Sequence, residues 1–435
     1  MFEFALTALL ILSLLVFLGS GLWIGLSLLG VGLLAMVGFT SRPVGDAMAT
    51  TIWAHTSLWG LASLPVFIWM GEILFRTKLS ASLFNGLSPL MRRLPGGLLH
   101  VNIMGCATFA AISGSSAATL ATIGKMTVPE LRKRNYPDSM VYGTLAGAGT
   151  LGLLIPPSIT MIVYGVTVQE SIGRLFIAGI MPGLLLAGLF IGYIMIWGMV
   201  TEEGRKHREA GATWNEKLHG LAELAPVVSL IVAVIGSIYT GIVSPTEAAV
   251  LGVVGALALS ALQGSLSWDS LHESLMSAAK TTSMIMLLMA GSAFLTLAMG
   301  FTGLPRALAD WIGGMGLSPW MLIVALTLFY IILGMFLDGI SSIVLTMAVI
   351  EPLVRGAGID MIWFGIFVVL VGEMAMITPP VGFNLFLVQS MTGRDIGFIA
   401  RSAVPMFLLM VLGVALLTVF PQIALWLPEV MTQRN

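Results

Sequence analysis

The chain has 435 residues, of which 57% are hydrophobic and 9% charged, with 20 Lys and Arg against 21 Asp and Glu. Soluble domains carry about 25% charged residues, so this composition could not cover a water-facing surface, and a net charge of −1 argues against a nucleic-acid partner. The single cysteine, Cys106, excludes an intrachain disulfide and a cysteine metal cluster, and no zinc-ligand spacing links the histidines His55, His100, His207, His219 and His272.

The mean hydropathy is +1.00, and the apolar runs approach the ~20 residues that a helix needs to cross a bilayer. Helices are the lipid-facing element that fits, because each satisfies its own backbone polar groups. In chain order the segments read 4–18, 20–39, 57–75, 97–126 (broken), 139–168 (broken), 175–200, 222–242, 246–263, 281–300, 319–350 (broken), 361–390 (broken) and 397–420. Met1-Phe2-Glu3-Phe4 lacks the basic stretch of a cleavable signal. The spacing predicts amphipathic helices along the interface over 79–93 and 304–317, helix starts at Asp138 and Asp360, and a cap at Ser244-Pro245-Thr246-Glu247. Lys125 and Lys280 read as snorkelling side chains.

Orientation follows the basic residues. Placing Arg76/Lys78, Arg92/Arg93, Arg132-Lys133-Arg134, Arg205 to Lys217 and Arg394 in the cytoplasm puts 12 of the 20 Lys and Arg there. Both flanks of segment 97–126 are then cytoplasmic, so it enters and returns from one side as a re-entrant hairpin with its tip at Ile112-Ser113-Gly114-Ser115-Ser116-Ala117. Polar, non-helical backbone at that depth is tolerated only inside protein or beside a water-filled cavity.

An internal repeat is carried by prolines. Residues 129–182 lie on 352–405 at an offset of 223, which puts Pro352, Pro379, Pro380 and Pro405 on Pro129, Pro156, Pro157 and Pro182, and Gly372 on Gly149. Proline kinks and small-residue packing would explain either half alone. Matched breaks in both halves instead favour two inverted repeats around a midplane site. The division is 1–200 for the first repeat (hairpin 97–126, broken helix 139–168), 201–220 for a cytoplasmic loop, and 221–435 for the second repeat (hairpin 319–350, broken helix 361–390).

Candidate site residues follow from these breaks. The first tip offers Ser113, Gly114, Ser115 and Ser116, and the first broken helix offers Gly149, Thr150, Pro156, Pro157 and Ser158. The second half offers Asp338, Ser341 and Ser342 at its tip, then Gly372, Glu373, Thr378, Pro379, Pro380 and Asn384. Half-helix ends and carbonyls freed by proline suit ions, and carboxylates at membrane depth are functional candidates. Two bland roles compete: Asp338 as a helix cap, and Glu373 in ordinary hydrogen bonds.

The motifs Leu94-Pro95-Gly96-Gly97, Ala111-Ile112-Ser113-Gly114-Ser115-Ser116-Ala117, Leu154-Ile155-Pro156-Pro157-Ser158, Pro182-Gly183, Ser244-Pro245-Thr246-Glu247-Ala248-Ala249 and Thr378-Pro379-Pro380-Val381-Gly382 resemble the large membrane subunit of tripartite ATP-independent periplasmic (TRAP) transporters. That resemblance runs from about residue 60 to the end. It implies an all-α membrane protein of the elevator-type ion-transporter fold, whose hairpins and broken helices move against a scaffold. It also implies sodium-driven import of an organic acid across the bacterial inner membrane. A periplasmic substrate-binding protein would deliver the acid, and a small four-helix membrane subunit, here a separate chain, would brace the large one.

The nearest rival is a stand-alone sodium-coupled dicarboxylate or anion transporter of the same superfamily. An intramembrane serine protease would need a histidine base at depth, and His207, His219 and His272 fall in polar connections. No nucleotide-binding Gly-x-x-x-x-Gly-Lys-[Ser/Thr] loop is present. A transporter without catalytic residues or organic cofactor, with sodium as its coupling ion, is the expectation.

Overall fold

A computed structural model of the chain describes residues 2–77, 79–207, 211–303, 307 and 318–432, and the regular structure among them is helical. The helices, in chain order, are α1 (Phe2–Gly19), α2 (Ile24–Phe39), α3 (Val44–Thr56), α4 (Ser63–Phe75), α5 (Leu79–Met91), α6 (Leu99–Ser113) and α7 (Ser116–Lys133). They continue with α8 (Asp138–Gly149), α9 (Leu151–Leu154), α10 (Ile159–Thr167), α11 (Ile172–Val200), α12 (Glu202–Lys206), α13 (Trp214–Tyr239), α14 (Pro245–Leu262) and α15 (Trp268–Thr302). The last are α16 (Pro319–Gly334), α17 (Gly339–Gly356), α18 (Met361–Met376), α19 (Phe383–Thr392), α20 (Ile396–Val419) and α21 (Gln422–Thr432). Among the described residues six helices are long and apolar enough to cross a membrane, or up to eight if each of two bent pairs counts as one span.

Local chemistry sets many of these boundaries. Ser115, Ser158, Ser171, Thr213, Ser244, Ser267, Ser318, Asp338, Asp360 and Asp395 each stand before a helix with a side-chain oxygen accepting from its first turn. Such caps supply donors that helix ends otherwise leave unsatisfied. Glu247 completes a capping box with Ser244, so its role is structural. The 79–93 segment forms α5, but the companion helix expected over 304–317 falls almost entirely outside the described residues.

Two elements differ from the hydropathy reading. The 57–75 segment is preceded by α3, whose threonines, Asp46 and His55 hide it from an apolar scan, and the chain bends by 57° between α3 and the helical stretch Trp59–Phe75. The C-terminal α21 contains Pro428 and follows Pro421, both of which read as breakers.

The helices pack as two groups. Helices α2 to α5 with α13, α14 and α15 form one, held by extensive α2–α15, α4–α14 and α5–α13 packing. Helices α6 to α11 with α16 to α21 form the other. Glycine lets backbones touch within both: a Cβ on Gly291 of α15 would lie 2.4 Å from the Gly25 carbonyl oxygen, and one on Gly143 of α8 would lie 2.1 Å from that of Ser402 on α20.

The second group crosses over between the halves. Helix α7, the returning arm of the first hairpin, packs on α19, which follows the second proline break. Helix α17, the returning arm of the second, packs on α10, which follows the first break. Both Pro156–Pro157 and Pro379–Pro380 are cis.

Candidate functional site

The first tip is shaped by Gly114. Its φ of 58° is left-handed, and a Cβ there would lie 2.8 Å from the Pro157 carbonyl oxygen, so only glycine closes the turn against the broken helix. Ser115 caps α7 by accepting from the Ala118 amide at 3.4 Å, and Ser113 shares a 2.7 Å hydrogen bond with Thr119. At the offset of 223, Ser115 corresponds to Asp338 and Thr119 to Ser342. Asp338 likewise caps α17, accepting from the amides of Ile340 at 3.2 Å and Ser341 at 3.4 Å.

Three candidates from different parts of the chain converge on the hydroxyl of a fourth, Ser116. Ser116 Oγ lies 2.9 Å from the Gly149 carbonyl oxygen, 3.1 Å from Glu373 Oε2 and 3.3 Å from Asn384 Oδ1, and the Asn384 Nδ2 donates to it at 3.0 Å. All three side chains are buried, Glu373 at 1% exposure. A hydroxyl owns one proton, so it cannot satisfy all three acceptors at once. The second oxygen, Glu373 Oε1, is buried without a hydrogen-bond partner, as is Ser342 Oγ in the second hairpin. Unsatisfied oxygens in a buried site are costly to leave alone, and Glu373 Oε1 with the oxygens of Ser116, Gly149 and Asn384 makes an oxygen-rich locus.

The remaining candidates make mostly local contacts. Thr150 donates to the Gly147 carbonyl at 2.6 Å and Thr378 to that of Met374 at 2.7 Å, which spends each hydroxyl proton on the end of the preceding helix. Ser158 caps α10 through the Met161 amide at 3.3 Å. Gly372 packs beside Gly339, where an added Cβ would find the Gly339 Cα at 3.9 Å. Pro156, Pro157 and Ser158 are buried, whereas Thr378 is half-buried and Pro379 and Pro380 are exposed. The two tips differ likewise: Ser113 and Ser116 are buried, Ser341 and Ser342 are buried, but Asp338 is exposed beside Phe336 at 65%.

Thr119 belongs with these residues although its type and position in an apolar run conceal it. Its correspondence to Ser342 under the repeat is the signal that identifies it. Among the described residues no group of three His, Cys, Asp or Glu side chains is placed to hold a metal ion, so the oxygens in question come from hydroxyls, an amide, a carbonyl and one carboxylate.

The ends of the second group are tied by ions. Asp138 at the start of α8 pairs with Arg394 at 2.5 Å and Arg132 at 3.5 Å, joining the first hairpin's base to the loop after α19. Arg355 at the base of the second hairpin pairs with Glu351 at 2.9 Å and Glu170 at 3.7 Å, and donates to the Val168 carbonyl at 3.0 Å in the loop after α10. His207 stacks on Tyr136 with ring centroids 4.0 Å apart, so the basic loop after α11 lies against the first hairpin's base.

The chain is similar over most of its length to known proteins. The family model described as "Tripartite ATP-independent periplasmic transporter, DctM component" matches residues 11–423. The chain is 32% identical over 442 residues, 98% of this chain and 99% of the other, to the C4-dicarboxylate TRAP transporter large permease protein DctM of Rhodobacter capsulatus. It is 32% identical, over 92% of each chain, to the ectoine/5-hydroxyectoine TRAP transporter large permease protein UehC of Ruegeria pomeroyi strain DSS-3. In fold it is similar to the crystal structure of the YdaH transporter of Alcanivorax borkumensis, with a TM-score of 0.61, 14% identity, and 87% of both chains covered.

Proposed function

The chain belongs to the DctM-component family of tripartite ATP-independent periplasmic transporters, and from that premise we propose that it imports an organic acid across the bacterial inner membrane, driven by a sodium gradient. A soluble periplasmic receptor delivers the acid, and a small four-helix membrane subunit stands beside the permease. Residues 1–200 and 221–435 act as inverted repeats joined by the cytoplasmic loop 201–220.

One observation carries the ion assignment. Ser116, Gly149, Glu373 and Asn384 gather oxygens around a buried hydroxyl, with a further carboxylate oxygen unpartnered. Hard oxygen donors at a broken helix are the ligands that transporters use for sodium. A cation there would satisfy Oε1 and offset the burial of the Glu373 charge. The related locus of Ser341, Ser342, Gly372, Thr378, Pro379 and Pro380 takes a second sodium, and Ser113, Gly114, Ser115, Thr150, Pro156, Pro157 and Ser158 hold the first tip against its helix. The substrate's anionic group sits between the tips, with Asp338 holding the start of α17.

The same Glu373 oxygen favours one second reading, in which the carboxyl carries a proton instead. The deciding experiment reconstitutes the permease with its small subunit and receptor, then imposes sodium and proton gradients separately. Uptake that follows sodium at constant pH supports the first reading; uptake that follows the proton gradient and ignores sodium removes it. Robust uptake by the permease alone would instead favour a stand-alone transporter.

A further inference from the structure

We propose that Arg174 anchors a separate anion site, which receives a small organic carboxylate away from the buried serine–glutamate locus; this rests on reading the chain as a carrier of such solutes. A cavity of about 950 Å³ opens between the loop before α4, the loop joining α10 to α11, and the loop joining α13 to α14. Its lining includes Trp59, Glu170, Arg174, Ile242 and Glu247. That volume lies within the range of small-molecule sites.

Arg174 is out of balance with its surroundings. Its Nε is buried without a hydrogen-bond partner, and no carboxylate among the described residues is within ion-pair distance of its guanidinium. The two acids of the lining are already engaged. Glu170 pairs with Arg355 at 3.7 Å, and Glu247 accepts from the Ser244 amide at 2.7 Å and hydroxyl at 2.8 Å.

Arg174 also stands in the first turn of α11, behind the Ser171 cap. A cation there meets the positive end of the helix dipole. A carboxylate would relieve both conditions, because the planar guanidinium presents paired donors that match its two oxygens. The ligand class is therefore a small mono- or dicarboxylate. Trp59, 80% exposed at the rim, supplies an apolar wall for its carbon chain.

The test uses the purified full-length chain in detergent, where both faces are accessible and topology plays no part. Ile242, 77% exposed in the same lining, is replaced by cysteine in a Cys106→Ala background. Its modification rate is then measured with sulfonatoethyl methanethiosulfonate, an anion, and trimethylammonioethyl methanethiosulfonate, a cation. Arg174→Gln should lower the anion-to-cation rate ratio several-fold, because losing the positive charge slows the anionic reagent and quickens the cationic one, each by up to about fivefold for a charge at ~4 Å through water, and Arg174→Lys should keep most of the ratio. Millimolar succinate should slow the anionic reagent in the parent and in Arg174→Lys, and not in Arg174→Gln. A ratio unchanged by Arg174→Gln, or succinate protection that is absent or equal in both, would overturn the site. Failure of sodium-driven uptake by the assembled transporter would count against the proposed function alone, since these rates are read without transport.

Discussion

The hydroxyl of Ser116 and the carboxylate of Glu373 meet at 3.1 Å although 257 residues separate them in the chain. One belongs to the first turn of the first hairpin's returning arm, the other to the helix that leads into the second proline break. Neither half of the molecule owns this contact, so an ion bound there, as proposed, would tie the two halves of the chain together.

Ser116→Ala removes the centre of that arrangement. Losing one buried oxygen partner costs about 1–3 kcal/mol, and each 1.4 kcal/mol is tenfold in affinity, so the half-saturating sodium concentration should rise roughly 5–100-fold. Uptake by the three-part transporter, titrated with sodium at fixed substrate, provides the reading. An unchanged titration would take Ser116 out of the ion site.

Glu373→Gln keeps the shape and removes the charge. If the carboxylate is a ligand, acidification competes with sodium, so wild-type half-saturation should rise as pH falls and the variant should be weaker and flat with pH. Sodium titrations across a pH series test this. A variant with wild-type sodium dependence would return Glu373 to a structural role.

Gly114→Ala forces a side chain into a left-handed turn, at about 1–3 kcal/mol for the backbone alone. The Pro157 carbonyl oxygen stands 2.8 Å from the new Cβ, so the loss of stability should exceed that of alanine at Gly45, where nothing stands within 4 Å. Thermal melts of the purified variants compare them. Equal melting temperatures would show that the tip relaxes without cost.

Residues 92 and 133 should lie on the cytoplasmic face together, with residue 358 outside. Single cysteines at each position in a Cys106→Ala background can be probed with an impermeant thiol reagent on intact cells. Labelling of 92 and 133 from opposite sides would remove the re-entrant hairpin.

The breaks in the helices were legible because their causes are local. Gly114 turns, Ser115 and Asp338 cap, and each proline pair removes amide donors. Helix α3 was not, because its polar residues dilute the apolar pattern. The convergence of Ser116, Glu373 and Asn384 is a tertiary fact that chain order cannot state. Nor does the proline pair itself distinguish the buried Pro156–Pro157 from the exposed Pro379–Pro380, since the same two residues acquire different surroundings only when helices pack.

Helix α4 of one packing group meets the first tip of the other at Gly71, where an added Cβ would lie 3.1 Å from the Ser113 carbonyl oxygen and 3.3 Å from that of Ile112. At that point main chain rests on main chain, with no side chain of α4 wedged between. Protruding knobs would lock such a joint in one register, whereas a bare helical ridge would leave little to disengage if the proposed transport slides the tip along it. A methyl group at Gly71 would act as a brake, so transport rate should suffer there even where sodium affinity does not.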